Sequence, residues 1–292
     1  MGQIRFVGES LRPVQWTKNL FVFAGILFSQ NIFNFPLLAK AIYAFFIFCL
    51  LSGSVYILND LTDLKEDRRH PVKCNRPLAS GRLKKSKAIL ALVILLSFSL
   101  GMAYSLDISF FLVVLAYLLL QVLYSFFLKS IVILDVFAVA GGFLLRVVAG
   151  AVVIDIEISS WLLICTIFLS LFLALGKRRH NLIVVGEGAQ SYRKVRGGYD
   201  LSLLDQMIFI ISALTPLSYI LYTLSEETVA KFRTKNLIFT VPFVFYGIFR
   251  YLYLIYHKGA GGNPENILIR DIPLIVDILL WVGAVGIILY AG

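Results

Sequence analysis

Charged residues are scarce in this chain, 15% of 292, where a soluble domain carries roughly a quarter. That shortage excludes an ordinary water-soluble enzyme. Cysteine is sparse too. Cys49, Cys74 and Cys165 stand apart, with no CxxC and no Cys/His spacing, so neither a disulfide framework nor a zinc site is indicated. Strict apolar–polar alternation, the mark of a membrane β-barrel strand of about 10 residues, is missing. The opening MGQIRFVGESLRP lacks the apolar core and small-residue cleavage site of a signal peptide, so the first apolar segment is expected to be retained. Acidic residues are the minority charge, 17 against 27 Lys and Arg, giving a net charge of +10. In a membrane chain such an excess orients the helices, and no nucleic-acid partner is expected.

What the chain has is apolar sequence: 59% of its residues are hydrophobic, gathered in blocks of roughly 20, the length that crosses a bilayer core as helix. The pattern predicts an all-α integral membrane protein, a single domain over 1–292, with nine spans near 14–33, 38–60, 87–106, 109–128, 131–153, 159–178, 203–225, 236–256 and 272–291. Most Lys and Arg fall in the tail before Asn19 and in the connections 60–87, 177–200 and 258–270. Nine spans with the N-terminus inside put all of these on one face, as the positive-inside rule requires. The expectation is a multi-pass protein of a bacterial plasma membrane, N-terminus cytoplasmic and C-terminus outside. The connections 60–87 and 177–200 are longer than turns need to be, and long loops over a rigid scaffold are where function sits.

The first of them begins NDLTDLKEDRRHPVKCNRPLASG, residues 59–81. On a helix, Asp60, Asp63 and Asp67 share one face, as do Asn59, Asp63 and Asp67. Three neighbouring carboxylates repel one another, and a divalent cation removes the conflict. Magnesium takes a few carboxylate oxygens and completes its shell with water and phosphate oxygens. Arg68, Arg69, His70, Lys73 and Arg76 follow at once. Acids then bases suit a diphosphate bridged by metal on one side and held by cations on the other. Solvated positive-inside charge explains Lys84, Lys85 and Lys87, which are left out of the site, but not a one-faced acidic triad.

This stretch resembles the first aspartate-rich signature of the UbiA superfamily of membrane prenyltransferases, in both its carboxylates and its RP-x-A-x-G element. The resemblance implies nine transmembrane helices around a central cavity. It implies that Asp60, Asp63 and Asp67 hold Mg2+ with Asn59 beside them, and that Lys73 and Arg76 take phosphate. The family includes trimers, so a homo-oligomer is an open expectation.

Typical members carry a second acidic motif after the sixth helix. Here that position reads GKRRH, with Lys177, Arg178, Arg179 and His180, and continues through Tyr192 to Asp205. Exchanging acids for bases disfavours a second metal and favours a second anion. The pattern GKRR-x-x-L followed by LDQ, and the opening LRPVQWTKNLFVFAG, resemble the decaprenyl-phosphate phosphoribosyltransferase branch of the superfamily. One departure is Asn181, where that branch is expected to carry Glu. The resemblance implies transfer of 5-phosphoribose from phosphoribosyl diphosphate to a polyprenyl phosphate, giving polyprenyl-phosphoryl phosphoribose, a precursor for cell-envelope arabinose. The alternative is transfer of a prenyl chain from its diphosphate to an aromatic acceptor, which would call for the second acidic motif.

Arg146 lies in mid-span in the sequence AGGFLLRVVAG. An unpaired charge there costs at least about 2.5 kcal/mol, so a polar partner is expected: a phosphate across the cavity, or Asp135 earlier in the helix. Lys18, near the entrance of the first span, is a further candidate for the substrate mouth. The candidate substrate-binding set is thus Lys18, Asn59, Lys73, Arg76, Arg146, Lys177, Arg178, Arg179 and Tyr192.

Overall fold

A computed structural model describes residues 2–186, 198–258, 267 and 269–290. Among them every regular element is helical. The longer helices are α1 (Gly2–Ser10), α2 (Phe35–Thr62), α3 (Lys85–Leu106), α4 (Ile108–Phe126), α5 (Leu134–Val152), α6 (Ser160–Gly186), α7 (Leu201–Leu224), α8 (Glu226–Phe232), α9 (Val241–His257) and α10 (Ile272–Tyr290). Polar residues that punctuate the apolar blocks act as N-caps, each accepting a hydrogen bond from a backbone N–H of the first turn. Asn34 caps α2, Asp107 caps α4, Asp200 caps α7 and Ser225 caps α8.

Eight helices among the described residues are long and apolar enough to cross a membrane: α2 to α7, α9 with its lead-in, and α10. The protein is an all-α, multi-pass membrane protein. The remaining expected span, 14–33, takes another form. Pro13–Phe23 winds as 3-10 helix and only Ala24–Leu27 as α-helix. Pro13 sets the first turn, and the polar stretch Ser29–Gln30–Asn31 ends the run.

The chain divides into two compact units, residues 1–131 with 141–158, and 132–140 with 159–292. In the first, Phe48 meets Phe110 and Tyr117 edge-on, at centroid distances of 6.1 and 5.3 Å. Val22, Ala44, Val114 and Ala149 are buried in the same cluster. Lipid supplies no hydrophobic drive between helices, so small residues that let backbones approach matter most. Gly150 is the extreme case. A Cβ there would lie 1.8 Å from the Val22 carbonyl oxygen, and one on Gly25 would lie 3.1 Å from the Ala151 backbone. The segment Pro13–Leu27 is seated on α5 through these glycines. In the second unit Leu171, Phe172, Leu175, Leu204, Ile208 and Tyr251 form the core. Large apolar side chains such as Phe98, Leu112 and Leu119 stay exposed on α3 and α4, as helices facing lipid require.

Candidate active site

The acidic motif sits where α2 ends. Asp63 has left helical geometry (φ −94°, ψ 9°) and is both the last cap of α2 and the first of a short turn, Leu64–Asp67. Yet Asp63 N–H still donates to Asn59 C=O (2.9 Å), and Asp67 N–H to Asp63 C=O (2.8 Å). The i, i+4 frame therefore survives the break, as the spacing predicts. Asp60 and Asp67 are buried, while Asn59 and Asp63 are partly so.

The loop that follows is anchored by its apolar members. Leu78 and Leu83 are buried with Ile57 and Ala88, Leu83 N–H donates to Pro77 C=O (2.8 Å), and Gly81 takes the turn at φ 79°, a conformation glycine adopts without steric cost. His70 shapes the loop, its Nδ1 accepting from the Val72 and Lys73 amides at 3.1 and 3.3 Å. Arg76 is thereby turned back onto the acids. It donates to Asp60 (3.1 Å) and Asp67 (2.5 Å), with Lys73 Nζ 4.0 Å from Asp67.

Two further cations reach the same carboxylates, and the sequence alone assigned neither. Arg12 donates to Asp60 with its guanidinium over the Tyr56 ring. Lys129, in the single 3-10 turn after α4, donates to Asp63. Burial lowers Arg12's pKa from its ordinary value, and Asp60's charge opposes that shift. Ser125 donates to Asn59 Oδ1 (2.5 Å). Arg12 and Lys129 read in sequence as positive-inside charge, and no local spacing links them to positions 48 and 66 residues away.

The other expected site residues are placed as follows. Lys18 donates to Gln15 (2.7 Å). Arg146 is buried and donates to neutral partners: Asn19 Oδ1, the Gly142 carbonyl and the Tyr117 hydroxyl, each at 2.8 Å. Asp135, the partner considered from sequence, instead receives Arg178 and the Tyr199 hydroxyl. Lys177, Arg178 and Arg179 lie within α6, which runs on to Gly186, so they belong to a helix and not to the loop expected from 177. Arg179 pairs with Asp205 (2.6 Å), which also accepts from Tyr256 (2.8 Å). The basic run is thus largely neutralised by acids from α5 and α7. Tyr192 lies outside the described residues.

Among the described residues no three His, Cys, Asp or Glu side chains are close enough to hold a metal together. Cations take the carboxylate oxygens instead. One oxygen, Asp60 Oδ2, is buried without a hydrogen-bond partner. An orphaned hard oxygen donor is of the kind magnesium takes, and binding the ion here requires the cations to give way and the neighbouring carboxylates to draw together.

A helical membrane scaffold presenting carboxylates and cations at one helix end defines a class of integral membrane protein with a charged site at the end of a span. The chain belongs to the UbiA prenyltransferase family, whose model matches residues 19–178. It is a transferase. It is 32% identical to the decaprenyl-phosphate phosphoribosyltransferase of Mycolicibacterium smegmatis, over 97% of this chain and 92% of that protein. Identity to the protein of the same name from Corynebacterium glutamicum is also 32%, over 97% and 86%. The fold matches a UbiA homolog from Archaeoglobus fulgidus solved with GPP and Mg2+, at a TM-score of 0.71 and 18% identity, over 97% of this chain and 99% of that one.

Proposed function

We propose that this protein transfers 5-phosphoribose from phosphoribosyl diphosphate to a polyprenyl phosphate, releasing diphosphate, with Mg2+ as cofactor and its mouth at the cytoplasmic face of a bacterial plasma membrane. The observation that carries the reading is the convergence of Arg12, Lys73, Arg76 and Lys129 on Asp60, Asp63 and Asp67. Such a cluster suits a polyanion better than a neutral substrate. The names of the relatives support phosphoribose as the group transferred.

In this reading Asp60, Asp63 and Asp67 hold the magnesium, with Asn59 alongside. When bound, magnesium neutralises charge developing on the leaving diphosphate. Arg76 and Lys73 bind diphosphate oxygens and fix the ribose so that its anomeric carbon faces the acceptor. The C1–O bond to diphosphate breaks with oxocarbenium-like character, and an oxygen of the lipid phosphate forms the new bond from the opposite face. A phosphate acceptor is already an anion at neutral pH, so the step needs no strong general base.

The test uses the purified full chain with labelled phosphoribosyl diphosphate, decaprenyl phosphate and Mg2+. A labelled, acid-labile lipid is expected, and Asp60→Asn should reduce its formation by about two to three orders of magnitude, as loss of a transition-state charge partner does. Absence of that lipid, with prenyl diphosphate consumed on an aromatic acceptor, would reject the reading in favour of prenyl transfer.

A further inference from the structure

The membrane-spanning helices hold few acids. Among the described residues these are Asp60 in α2, Asp135 in α5, Asp205 in α7 and Asp277 in α10. Three of them meet arginine. Asp60 receives Arg12 and Arg76, Asp135 receives Arg178, and Asp205 receives Arg179. Asp277 has neither an ion pair nor a hydrogen bond among the described residues, yet it is buried, with 8% of its surface exposed.

Its position removes the ordinary explanations for an acid in a helix. Asp277 lies five residues past Ile272, about 8 Å into α10, in the most apolar of the eight spans. The start of that helix is already served by Asp271, which accepts from the Leu274 amide (3.0 Å) and holds both arms of Arg250 (3.0 and 2.8 Å). Across from Asp277 stands Gly247 of α9. A Cβ added to Gly247 would lie 3.2 Å from Asp277 Oδ2, so the carboxyl rests against the α9 backbone in the room that glycine leaves.

An ionised carboxylate buried in an apolar span without a counter-charge is strongly disfavoured, and an acid so placed sheds the charge by keeping its proton. The other titratable groups on the packed elements leave that balance unchanged. On α9 they are Tyr246 and Tyr251, neutral at pH 7, Arg250, which is held by Asp271, and Tyr253, Tyr256 and His257 towards the helix end. Asn236–Thr240 carries none. From α7 comes Tyr219, whose hydroxyl meets Thr240 and receives Trp281 Nε1, one turn past Asp277.

We infer that Asp277 is a proton-holding site inside the bilayer. It is a neutral carboxylic acid at pH 7, and loss of its proton drives α10 off Gly247. The α9–α10 pair is thus closed at neutral pH and loosened in alkali. The neutral acid is also the form that lipid-soluble carbodiimides modify. The carboxyl O–H adds across one C=N bond, oxygen bonding to the central carbon and the proton passing to nitrogen. Acyl migration from oxygen to nitrogen then leaves a stable N-acylurea, with no group lost. Asp277 belongs to the second unit and Asp60, Asp63 and Asp67 to the first, so the proton site stands whether or not the metal site does.

The test treats the full chain in detergent with dicyclohexylcarbodiimide at pH 7 and maps adducts by peptide mass spectrometry. It also follows Tm from about pH 5 to 9, for wild type and Asp277→Asn. A solvated carboxyl is protonated about one part in a thousand at pH 7, so the adduct at Asp277 should exceed that at the exposed Glu226 by about two orders of magnitude. Asp277→Asn, the neutral isostere, should lose the adduct. Native protein that keeps a proton its unfolded form releases near pH 4 loses stability as pH rises, until Asp277 itself ionises. The wild-type Tm should therefore fall by several degrees relative to Asp277→Asn across that range. Parallel Tm curves for the two proteins overturn the proton site, whatever the labelling shows. Should Asp277→Asn fail to fold, the labelling decides alone, and an Asp277 no more reactive than Glu226 overturns it.

Discussion

Arg146 shows how much a single buried side chain decides. Its guanidinium ties Asn19 of the 3-10 segment to Tyr117 of α4 and lies over the Tyr117 ring at 4.8 Å. Asn19, itself fully buried, passes the network on to Ser52 at 3.2 Å. Arg146→Met leaves Asn19 and Tyr117 short of a partner, so it is expected to cost about 1–3 kcal/mol of stability, read as a lowered Tm in detergent. If Tm holds while affinity for phosphoribosyl diphosphate falls, Arg146 is a substrate ligand after all. The need for a polar partner was legible from a charge placed in mid-span. Which partner was not, because Asn19 lies 127 residues away and is neutral.

At the level of the helices, the acidic motif was legible because its spacing matches the helical turn and that frame persists through Asp63. The basic run of α6 was half legible. Its residue types were evident, but Asp135 and Asp205, which neutralise Arg178 and Arg179, come from other helices. Removing Arg178 leaves the buried Asp135 carboxylate short of its charge partner and should destabilise by about 3 kcal/mol. The double variant Asp135→Asn, Arg178→Gln should lose less than the sum of the singles, as measured by thermal unfolding. Strict additivity would mean that Arg178 works elsewhere. Helix packing gives a second expectation. Gly150→Leu drives a side chain into the Val22 carbonyl and should abolish detergent-stable protein. Gly101→Ala, with no atom within 4 Å of the added Cβ, should fold normally and gain up to about 1 kcal/mol. Expression followed by size-exclusion profiles distinguishes them.

For the molecule as a whole, eight of the nine expected spans appear as long helices whose ends fall within a few residues of the apolar blocks, α6 alone running well beyond its predicted end. Hydrophobic length governs those boundaries and is written locally. The first span was not legible as 3-10 helix, because its winding goes with close contact to Gly150, far along the chain. Counting that segment as a crossing puts the two termini on opposite faces of the membrane. Reporter fusions check this: alkaline phosphatase at the C-terminus should be active and a fluorescent protein there dark, with the reverse at the N-terminus. Both ends reporting the same side would reduce the count to eight. The conformation of Pro13–Leu27 bears directly on that count. Eleven residues of 3-10 helix at about 2.0 Å each climb about 22 Å, and four of α-helix add about 6 Å. Fifteen residues thus reach about 28 Å, close to the ~30 Å of a hydrocarbon core. Wound wholly as α-helix, they would stop roughly a quarter short of it. Tighter coiling gives this segment the reach of a full span from fewer residues.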